Sequence, residues 1–392
     1  MNHDRIKAVV DWLIDGARSE ALPQQILTRL GNDLVEAGLP VWRLAVFVRT
    51  LHPHIMGRRF LWRPGEEATV SEAPYDLLET PLFRDSPVAE VTRSGIALRR
   101  CLADPDCPMD FNTLDELRAE GVTDYLASPL TFTDGNVHVA TWTTRAPGGF
   151  TASQLQAIES VVGPLTRVAE VRALRRTASN LLDTYVGHQA GERIMSGQIR
   201  RGDSATISAA IWLSDMRGFT ALADRLPRQA LIDLLNRYFD CQTPAIVDHG
   251  GEVLKFMGDG LLAIFPIAAA ESDVAQVCRR ALDAARVARA EVTALQAPAI
   301  DRAAPRFGLA LHVGEVIYGN IGGGNRLDFT CIGPAVNLAA RIEKLAGGLG
   351  RTILTSDAFA RHCPGDLVTV GSFQLPGFNA AQAVFGLADE PA

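Results

Sequence analysis

The first 150 residues alternate between helical and strand-like hydrophobic patterns. Apolar residues spaced three and four apart predict two helices, at about 4–19 and 22–38. Apolar runs then predict strands at WRLAVFVRT and GRRFLWRPG, and SPLTFTDGNVHVATWTTRA predicts a hairpin that turns at Asp134-Gly135. A closing helix follows the GGFT segment. The pattern predicts a first α/β domain over residues 1–150.

The closing helix has Thr151 or Ser153 as its N-cap and continues well beyond that domain. Its apolar residues are spaced three and four apart in two runs, separated by one extra step of three. The runs are Ile158, Val161, Leu165 and Val168, then Val171, Leu174, Ala178, Leu181 and Tyr185. Heptad spacing with a stammer predicts a parallel coiled coil within a connector over residues 151–200. The alternative is an ordinary amphipathic helix packed on its own domain.

Residues 201–392 predict a second domain with a βαββαβ order. ISAAIWLSDM is a continuous apolar run, as in a strand buried on both faces. Helical patterns follow it, then the hairpin VLKFMGDGLLAIF, a helix over about 271–296 and the strand RFGLALHVGEVI. The Gly-rich YGNIGGGNRLD predicts a loop, before the strand FTCIG and the helix PAVNLAARIEKL. This order predicts an α+β, ferredoxin-like fold.

Composition narrows the classes of function. The net charge is −7 and the pI is about 5.7, so a general nucleic-acid partner is not expected. The first 20 residues predict an amphipathic helix and not a signal peptide, and no apolar run approaches the roughly 20 residues of a membrane helix. We expect a cytoplasmic protein. Six scattered cysteines predict reduced thiols without a zinc site.

Two acidic residues stand where apolar strands end. Asp215 ends AAIWLSD, and Asp259 lies at the turn of the hairpin FMGDG. A βαββαβ sheet places its first strand beside that hairpin, so the two carboxylates can converge. Two carboxylates beside glycines that admit a phosphate suit Mg²⁺. For either residue alone, a turn or cap role is the better explanation.

The segments around these residues make the interpretation specific. SDMRGFT, KFMGDG and LDFTCIGPAVNLAARIE occur in this order over about 180 residues and resemble the three motifs of the class III nucleotidyl cyclases. The resemblance implies two Mg²⁺ or Mn²⁺ ions per site. It assigns metal binding to Asp215, Asp259 and the backbone carbonyl of Met216. It also assigns phosphate binding to Gly218, Phe219 and Thr220, and Arg217 is a further candidate.

The third motif implies the residues that act on the substrate. Asn337 would orient the ribose and Arg341 would neutralise charge on the transferring phosphate; at i and i+4 they project from one helix face. The base would be read by Lys255, one of only three lysines, and by Thr330. A lysine can donate to adenine N1 and a threonine hydroxyl can accept from the adenine amino group, so this pair indicates ATP. A slip of one residue would put Cys331 at the second position, as in guanylate cyclases.

The resemblance also predicts a homodimer, joined through the catalytic domain and the coiled-coil connector, with each site shared between subunits. The Thr330 subgroup is often stimulated by bicarbonate, and we expect the same here. The family's phosphate-binding lysine near the C-terminus is replaced by Pro376. Pro376 leaves a catalytically weak nucleotide-binding signalling module as an alternative to an adenylate cyclase. A guanylate cyclase is a second alternative. The first domain resembles a GAF-type sensor, which implies a small-molecule ligand there and regulation by it.

Overall fold

The computed structural model of the chain describes residues 1–267, 274–295, 305–324 and 326–390. The chain divides into two compact units, Met1–Leu181 and Leu182–Ala392, each with its own β-sheet. The division falls inside one long helix. No helix within the described ranges is both long and apolar enough to span a lipid bilayer.

The first unit is a six-stranded sheet with helices on both faces. Its elements are α1 (His3–Ile14), α2 (Pro23–Glu36), β1 (Arg43–Arg49), β2 (Ile55–Trp62), β3 (Thr69–Pro74), a 3₁₀ turn at Tyr75–Glu79, α3 (Pro81–Arg84), α4 (Pro87–Ser94), β4 (Leu98–Arg100), α5 (Asn112–Ala119), β5 (Asp124–Thr131), β6 (Val137–Thr144) and α6 (Ala152–Val186). The strand order is β3-β2-β1-β6-β5-β4, and the predicted hairpin is β5–β6. One core joins α1, α2 and α6 to the sheet, and a second core involves α4 and α5.

Helix α6 contains both apolar runs of the predicted coiled coil, but the two runs differ in burial. Thr151 caps its first turn by accepting from the amide of Gln154. The first run, from Ile158 to Val168, is buried in the core of the first unit. That half follows the alternative, an amphipathic helix packed on its own domain, because its apolar face is already covered. The second run is exposed at Val171, Leu174, Leu181 and Tyr185. Only this half has an apolar face left for a partner helix.

The second unit has an eight-stranded sheet with a ferredoxin-like centre. Its elements are α7 (His188–Met195), β7 (Ser204–Met216), α8 (Phe219–Arg225), α9 (Arg228–Asp248), β8 (Glu252–Met257), β9 (Gly260–Ile267), α10 (Val274–Ala294), β10 (Phe307–Gly323), β11 (Arg326–Ile332), α11 (Pro334–Gly348), β12 (Ile353–Ser356), α12 (Asp357–Ala360), β13 (Leu367–Phe373) and β14 (Gln382–Leu387). The order β10-β7-β9-β8 is that of a βαββαβ sheet, and β14, β12 and β13 extend it beyond β10. The fold is α+β, as predicted. The predicted helix at 271–296 is confirmed over Val274–Ala294, and its remaining positions, apart from Leu295, lie outside the described residues.

The prediction of a loop at YGNIGGGNRLD is wrong. Strand β10 continues to Gly323, and β11 returns from Arg326 to pair with it, so these residues form the arms of a hairpin. Its glycines allow close contact between backbones, because a Cβ at Gly319 would lie 2.2 Å from the carbonyl oxygen of Asp203. Gly322 is equally close to the carbonyl oxygen of Arg326, at 2.3 Å. Glycine composition indicated a loop, whereas here it permits strand pairing.

Candidate active site

Asp215 and Asp259 come together at the end of two paired strands. Strand β7 pairs with β9 along the whole length of β9, and Asp215 is opposite Gly260, the residue after Asp259. A Cβ at residue 260 would lie 3.0 Å from Oδ1 of Asp215, so glycine there leaves room for the carboxylate. Gly258 has a φ of +69°, a left-handed conformation that suits glycine at the hairpin turn. The strand pairing that the βαββαβ order predicted thus brings the two carboxyl groups together.

The Asp259 carboxylate affects the charge of Asp215. Burial raises the pKa of Asp215 to about 6, and the nearby Asp259 carboxylate adds to this rise. Lys344 and the backbone amide of Met216 act in the opposite direction. Burial also raises the pKa of Glu343 to about 7, and the charge of Asp215 contributes. The site therefore holds more negative charge than its own cations balance, which favours a bound cation.

The donors suit a divalent metal that also binds a ligand from outside the chain. Carboxylate oxygens are preferred by Mg²⁺, which commonly binds one or two carboxylates together with substrate phosphates. No group of three or more His, Cys, Asp or Glu able to hold a metal occurs in the described part of the chain. Asp215 and Asp259 thus fit the group as a two-carboxylate site that needs phosphate oxygens to complete it.

The segment after Asp215 forms a tight turn into α8. Gly218 is the N-cap with a φ of +72°, and Phe219 and Thr220 open the helix. The side chain of Arg217 donates to the backbone carbonyl of Arg351, and burial together with a neighbouring arginine lowers the pKa of Arg217. Arg217 therefore already has one partner within the fold, while its Nε is buried without one among the described residues.

Lys255 and Thr330 lie on two strands, β8 and β11, that are linked by an ion pair. Lys255 is on β8, and its Nζ lies 3.9 Å from Oδ2 of Asp328 on β11. Thr330 is two residues further along β11, on the same side of the strand as Asp328. Its side chain is 4% exposed, and its hydroxyl oxygen has no hydrogen-bond partner within the described residues. Buried hydroxyls are normally paired, so this hydroxyl is left unsatisfied by the described residues.

Cys331 occupies a different environment from Thr330. It is buried in the apolar cluster that includes Ile211 and Tyr318, and burial raises the pKa of its thiol to about 11. A slip of register that would make Cys331 the base-contacting residue would replace a hydroxyl with a thiol from the core. The charge of Lys255 also acts on the Cys331 thiol, so the alternative with Cys331 at the base-contacting position stays open.

Asn337 and Arg341 lie one turn apart on α11. Asn337 is exposed and Arg341 is partly exposed. Neither side chain has a hydrogen bond or an ion pair to a protein group in the described ranges, so both are free for a ligand. The same helix carries Lys344, whose charge acts on the pKa of Asp215.

Three residues near these positions were not singled out for a role from sequence. Asp328 is an ion-pair partner for Lys255, and Glu343 and Lys344 contribute charge near Asp215. The sequence offered a signal for Lys344 alone, since it is one of only three lysines in the chain. The position of Asp328 next to Lys255 depends on the pairing of β10 with β11, which the sequence analysis did not predict.

Comparison with known families identifies the second unit. Residues 204–367 match the family described as the adenylate and guanylate cyclase catalytic domain. These residues contain the aspartate pair, Lys255, Thr330, Asn337 and Arg341. This part of the chain is a class III cyclase catalytic domain of that family, and the resemblance found from the three motifs is confirmed.

Curated relatives match the same part of the chain. Adenylate cyclase from Anabaena cylindrica is 31% identical over 172 residues, which is 42% of this chain and 33% of that protein. Adenylate cyclase 1 from Rhizobium meliloti (strain 1021) is 28% identical over 176 residues, which is 44% of this chain and 26% of that protein. The chain spans a third or less of the length of these relatives.

A solved structure of a bacterial light-regulated adenylyl cyclase is also similar. It is 19% identical, with a TM-score of 0.49, and the alignment covers 67% of this chain and 86% of that one. The adenylyl cyclase CyaB from P. aeruginosa is 24% identical, with a TM-score of 0.40, and the alignment covers 48% of this chain and 97% of that chain.

Proposed function

We propose that the chain is an adenylate cyclase that converts ATP to 3′,5′-cyclic AMP and pyrophosphate. The observation that supports this proposal best is the buried hydroxyl of Thr330, which has no partner among the described residues and lies on β11, the strand whose Asp328 is paired with Lys255. A lysine donates to adenine N1, which is an acceptor, whereas guanine has a donor at that position. A threonine hydroxyl accepts from the adenine amino group. The two residues thus complement adenine and leave guanine mismatched.

Asp215 and Asp259 are proposed to hold divalent cations, Mg²⁺ or Mn²⁺, two per site. When bound, these ions supply positive charge that stabilises the phosphate oxygens as negative charge builds up on them. The backbone amides of Gly218, Phe219 and Thr220 would donate to the terminal phosphates. These donors hold the triphosphate so that the pyrophosphate leaving group points away from the ribose.

The reaction is an intramolecular displacement. The ribose 3′-oxygen attacks the α-phosphorus in line, its proton passes to solvent, and the bond to the bridging oxygen of pyrophosphate breaks. Asn337 would orient the ribose so that the 3′-oxygen faces the phosphorus, and Arg341 would donate to the α-phosphate as its charge increases. Since nucleophile and electrophile belong to one bent ATP molecule, positioning supplies much of the acceleration.

We infer that each active site is shared by two chains. Asp215 and Asp259 would come from one chain, whereas Lys255, Thr330, Asn337 and Arg341 would come from its partner. The side chains of Asn337 and Arg341, which have no partner among the described residues, support this arrangement. The exposed apolar residues Leu174 and Tyr185 on α6 are proposed to add a helix–helix contact. The first unit would then regulate catalysis through this connector.

Complementation between two inactive variants tests the shared site. Asp259→Asn removes one metal ligand, and Arg341→Ala removes the phosphate donor of the other half-site. Each variant alone should form no cyclic AMP. Random mixing makes half of the dimers mixed, and each mixed dimer has one intact site of two, so activity should return to about a quarter of wild type.

Measuring the cyclic product that the wild-type protein forms from ATP and from GTP separates an adenylate cyclase from the alternative functions. Product from ATP but not from GTP supports an adenylate cyclase, and the reverse identifies a guanylate cyclase. Nucleotide binding without any cyclic product would indicate a signalling module that binds nucleotide without turnover, for which Pro376 at the lysine position is the main argument. If the mixture of the Asp259→Asn and Arg341→Ala variants stays inactive, the active site is not shared between chains. The cyclase assignment would still be decided by the activity of the wild-type protein.

A further inference from the structure

A large open cavity lies in the first unit, which contains none of the residues of the proposed cyclase site. It has a volume of about 800 Å³ and is enclosed by α2, by strands β1, β2 and β3, and by α6 between Leu165 and Ser179. A drug-sized or metabolite-sized ligand fits within pockets of about 300–1,000 Å³. All of its walls belong to Met1–Leu181, so the cavity is complete within this unit.

The floor of this cavity is apolar. Leu27, Val46, Leu165 and Val168 are buried members of the main core of the unit, and each also lines the cavity. Phe60, partly buried, lies beside them. A ligand with a hydrocarbon or aromatic body would displace water from these surfaces, which is favourable in proportion to the apolar area covered.

The cavity is lined by five arginines and one acidic residue. The lining arginines are Arg49, Arg58, Arg172, Arg175 and Arg176, and the acidic residue is Glu72. Two of the arginines have partners: Arg58 donates to Glu72 at 2.8 Å, and Arg172 donates to the backbone carbonyls of Glu20 and Ala21 at 2.8 and 3.1 Å. The lining therefore has a strong positive excess.

Three of these arginines have neither a carboxylate nor a backbone carbonyl bound to their side chains in the described residues. In the described part of the chain, neither Arg49 nor Arg175 forms an ion pair, and Arg176 acts on Glu72 only as a nearby charge. Arg175 and Arg176 are adjacent on α6 and exposed. Guanidinium groups bind carboxylates through parallel hydrogen bonds, so an anionic group entering the cavity would find donors beside the apolar floor.

We propose that this cavity binds a small amphipathic organic anion, a carboxylate with an aliphatic or aromatic body. Its carboxylate would accept hydrogen bonds from Arg175 and Arg176, and its apolar body would lie on the floor formed by Leu27 and Val168. A small polar anion would leave the floor uncovered, and an apolar cation would meet the arginines with like charge. This site concerns the first unit alone and does not depend on the proposed cyclase activity.

Calorimetric titration of the full chain with decanoate tests the proposal at fixed pH and ionic strength. Decanoate should bind saturably at one site, whereas acetate, which lacks the body, and decylamine, which has the opposite charge, should not bind. The Arg175→Gln/Arg176→Gln variant should bind decanoate at least about tenfold more weakly, because two charge-assisted contacts are lost. Both arginines are exposed, so this variant should keep its fold.

A matched control removes two other exposed arginines of the same unit. Arg18→Gln/Arg84→Gln changes the net charge equally, and neither residue lines the cavity. This control should bind decanoate as wild type does. A second variant, Ala169→Phe, fills the cavity and should also weaken binding. Absence of saturable decanoate binding, equal affinity in the Arg175→Gln/Arg176→Gln variant, or equal binding of decylamine would each overturn the proposal.

Discussion

The hydroxyl of Tyr318 lies between the two carboxylate oxygens of Glu252, 2.9 Å from Oε1 and 2.8 Å from Oε2. Both residues are buried, and burial raises the pKa of Glu252. The backbone amide of Ala190 on α7 also donates to this carboxylate. Glu252 therefore links three elements, β8, β10 and α7, through buried hydrogen bonds.

Tyr318→Phe should destabilise the second unit by about 1–3 kcal/mol, because the buried Glu252 carboxylate loses a donor and keeps its desolvation cost. Urea unfolding at neutral pH measures the change. Tyr185→Phe is the control, since Tyr185 is 80% exposed and should change stability little. Equal stability of the two variants would contradict a structural role for the Tyr318 hydroxyl.

Asp259→Asn should remove the stabilisation of the protein by metal. In wild type, Mn²⁺ should raise the melting temperature because binding to the folded state alone stabilises it. Without metal, the variant should melt higher than wild type, since the carboxyl group that helps to raise the pKa of Asp215 is gone. Thermal unfolding with and without Mn²⁺ measures both effects. Asp248→Asn, an exposed change on α9, should keep the wild-type response.

Lys255→Glu/Thr330→Cys should change the preferred nucleotide from ATP towards GTP. A glutamate carboxylate can accept a hydrogen bond from the guanine N1–H group. Adenine N1 is itself an acceptor, so it has no hydrogen to donate to the glutamate. The ratio of kcat/KM for ATP to that for GTP should fall by at least about 100-fold, because mismatched buried polar groups are costly. Cyclic product formed from each nucleotide gives this ratio. Lys7→Glu matches the lysine substitution and should leave the ratio unchanged; an unaltered ratio in the double variant would refute base reading by this pair.

The buried His312 should make stability depend on pH below neutrality. Burial lowers the pKa of His312 from 6.5 to about 4, and its Nδ1 lies 2.7 Å from the Ser356 hydroxyl. The unfolded chain therefore binds a proton that the folded chain does not, between those two values. The contribution is present above pH 6.5 and is lost as pH falls towards 4, on the order of 3 kcal/mol in total.

Comparison with His312→Gln isolates this contribution from other titrating groups. The free energy of unfolding should fall more steeply between pH 7 and pH 4 in wild type than in the variant, as measured by urea unfolding at each pH. His54→Gln, at an exposed loop position, should retain the wild-type slope. Identical slopes for wild type and His312→Gln would show that His312 titrates alike in the folded and unfolded chain.

The metal-site geometry was predictable from sequence because its signals are local. A continuous apolar strand ending at Asp215 and a glycine turn around Asp259 each identify an element, and the βαββαβ order makes the strands neighbours. The pairing of Asp215 with Gly260 confirms this reasoning about the fold. The roles of these residues stay predictions.

The surface that α6 buries could not be predicted in this way. Spacings of three and four are common to a coiled coil and to a helix packed on its own sheet, so Ile158 and Val168 fitted both. Their burial depends on Trp62 and Trp142, which pack in the same core from distant strands. The ion pair between Lys255 and Asp328 likewise requires the pairing of β10 with β11, which is not encoded in a local pattern.

Gly187 separates α6 from α7 with a φ of +89°, and a Cβ there would lie 3.2 Å from the carbonyl oxygen of Val253 on β8. A larger residue would be disfavoured both by its backbone conformation and by this contact. The end of the long helix is thereby anchored against β8, two residues before Lys255. A torque applied along α6 would be delivered to β8, the strand of Lys255, for which we propose base reading.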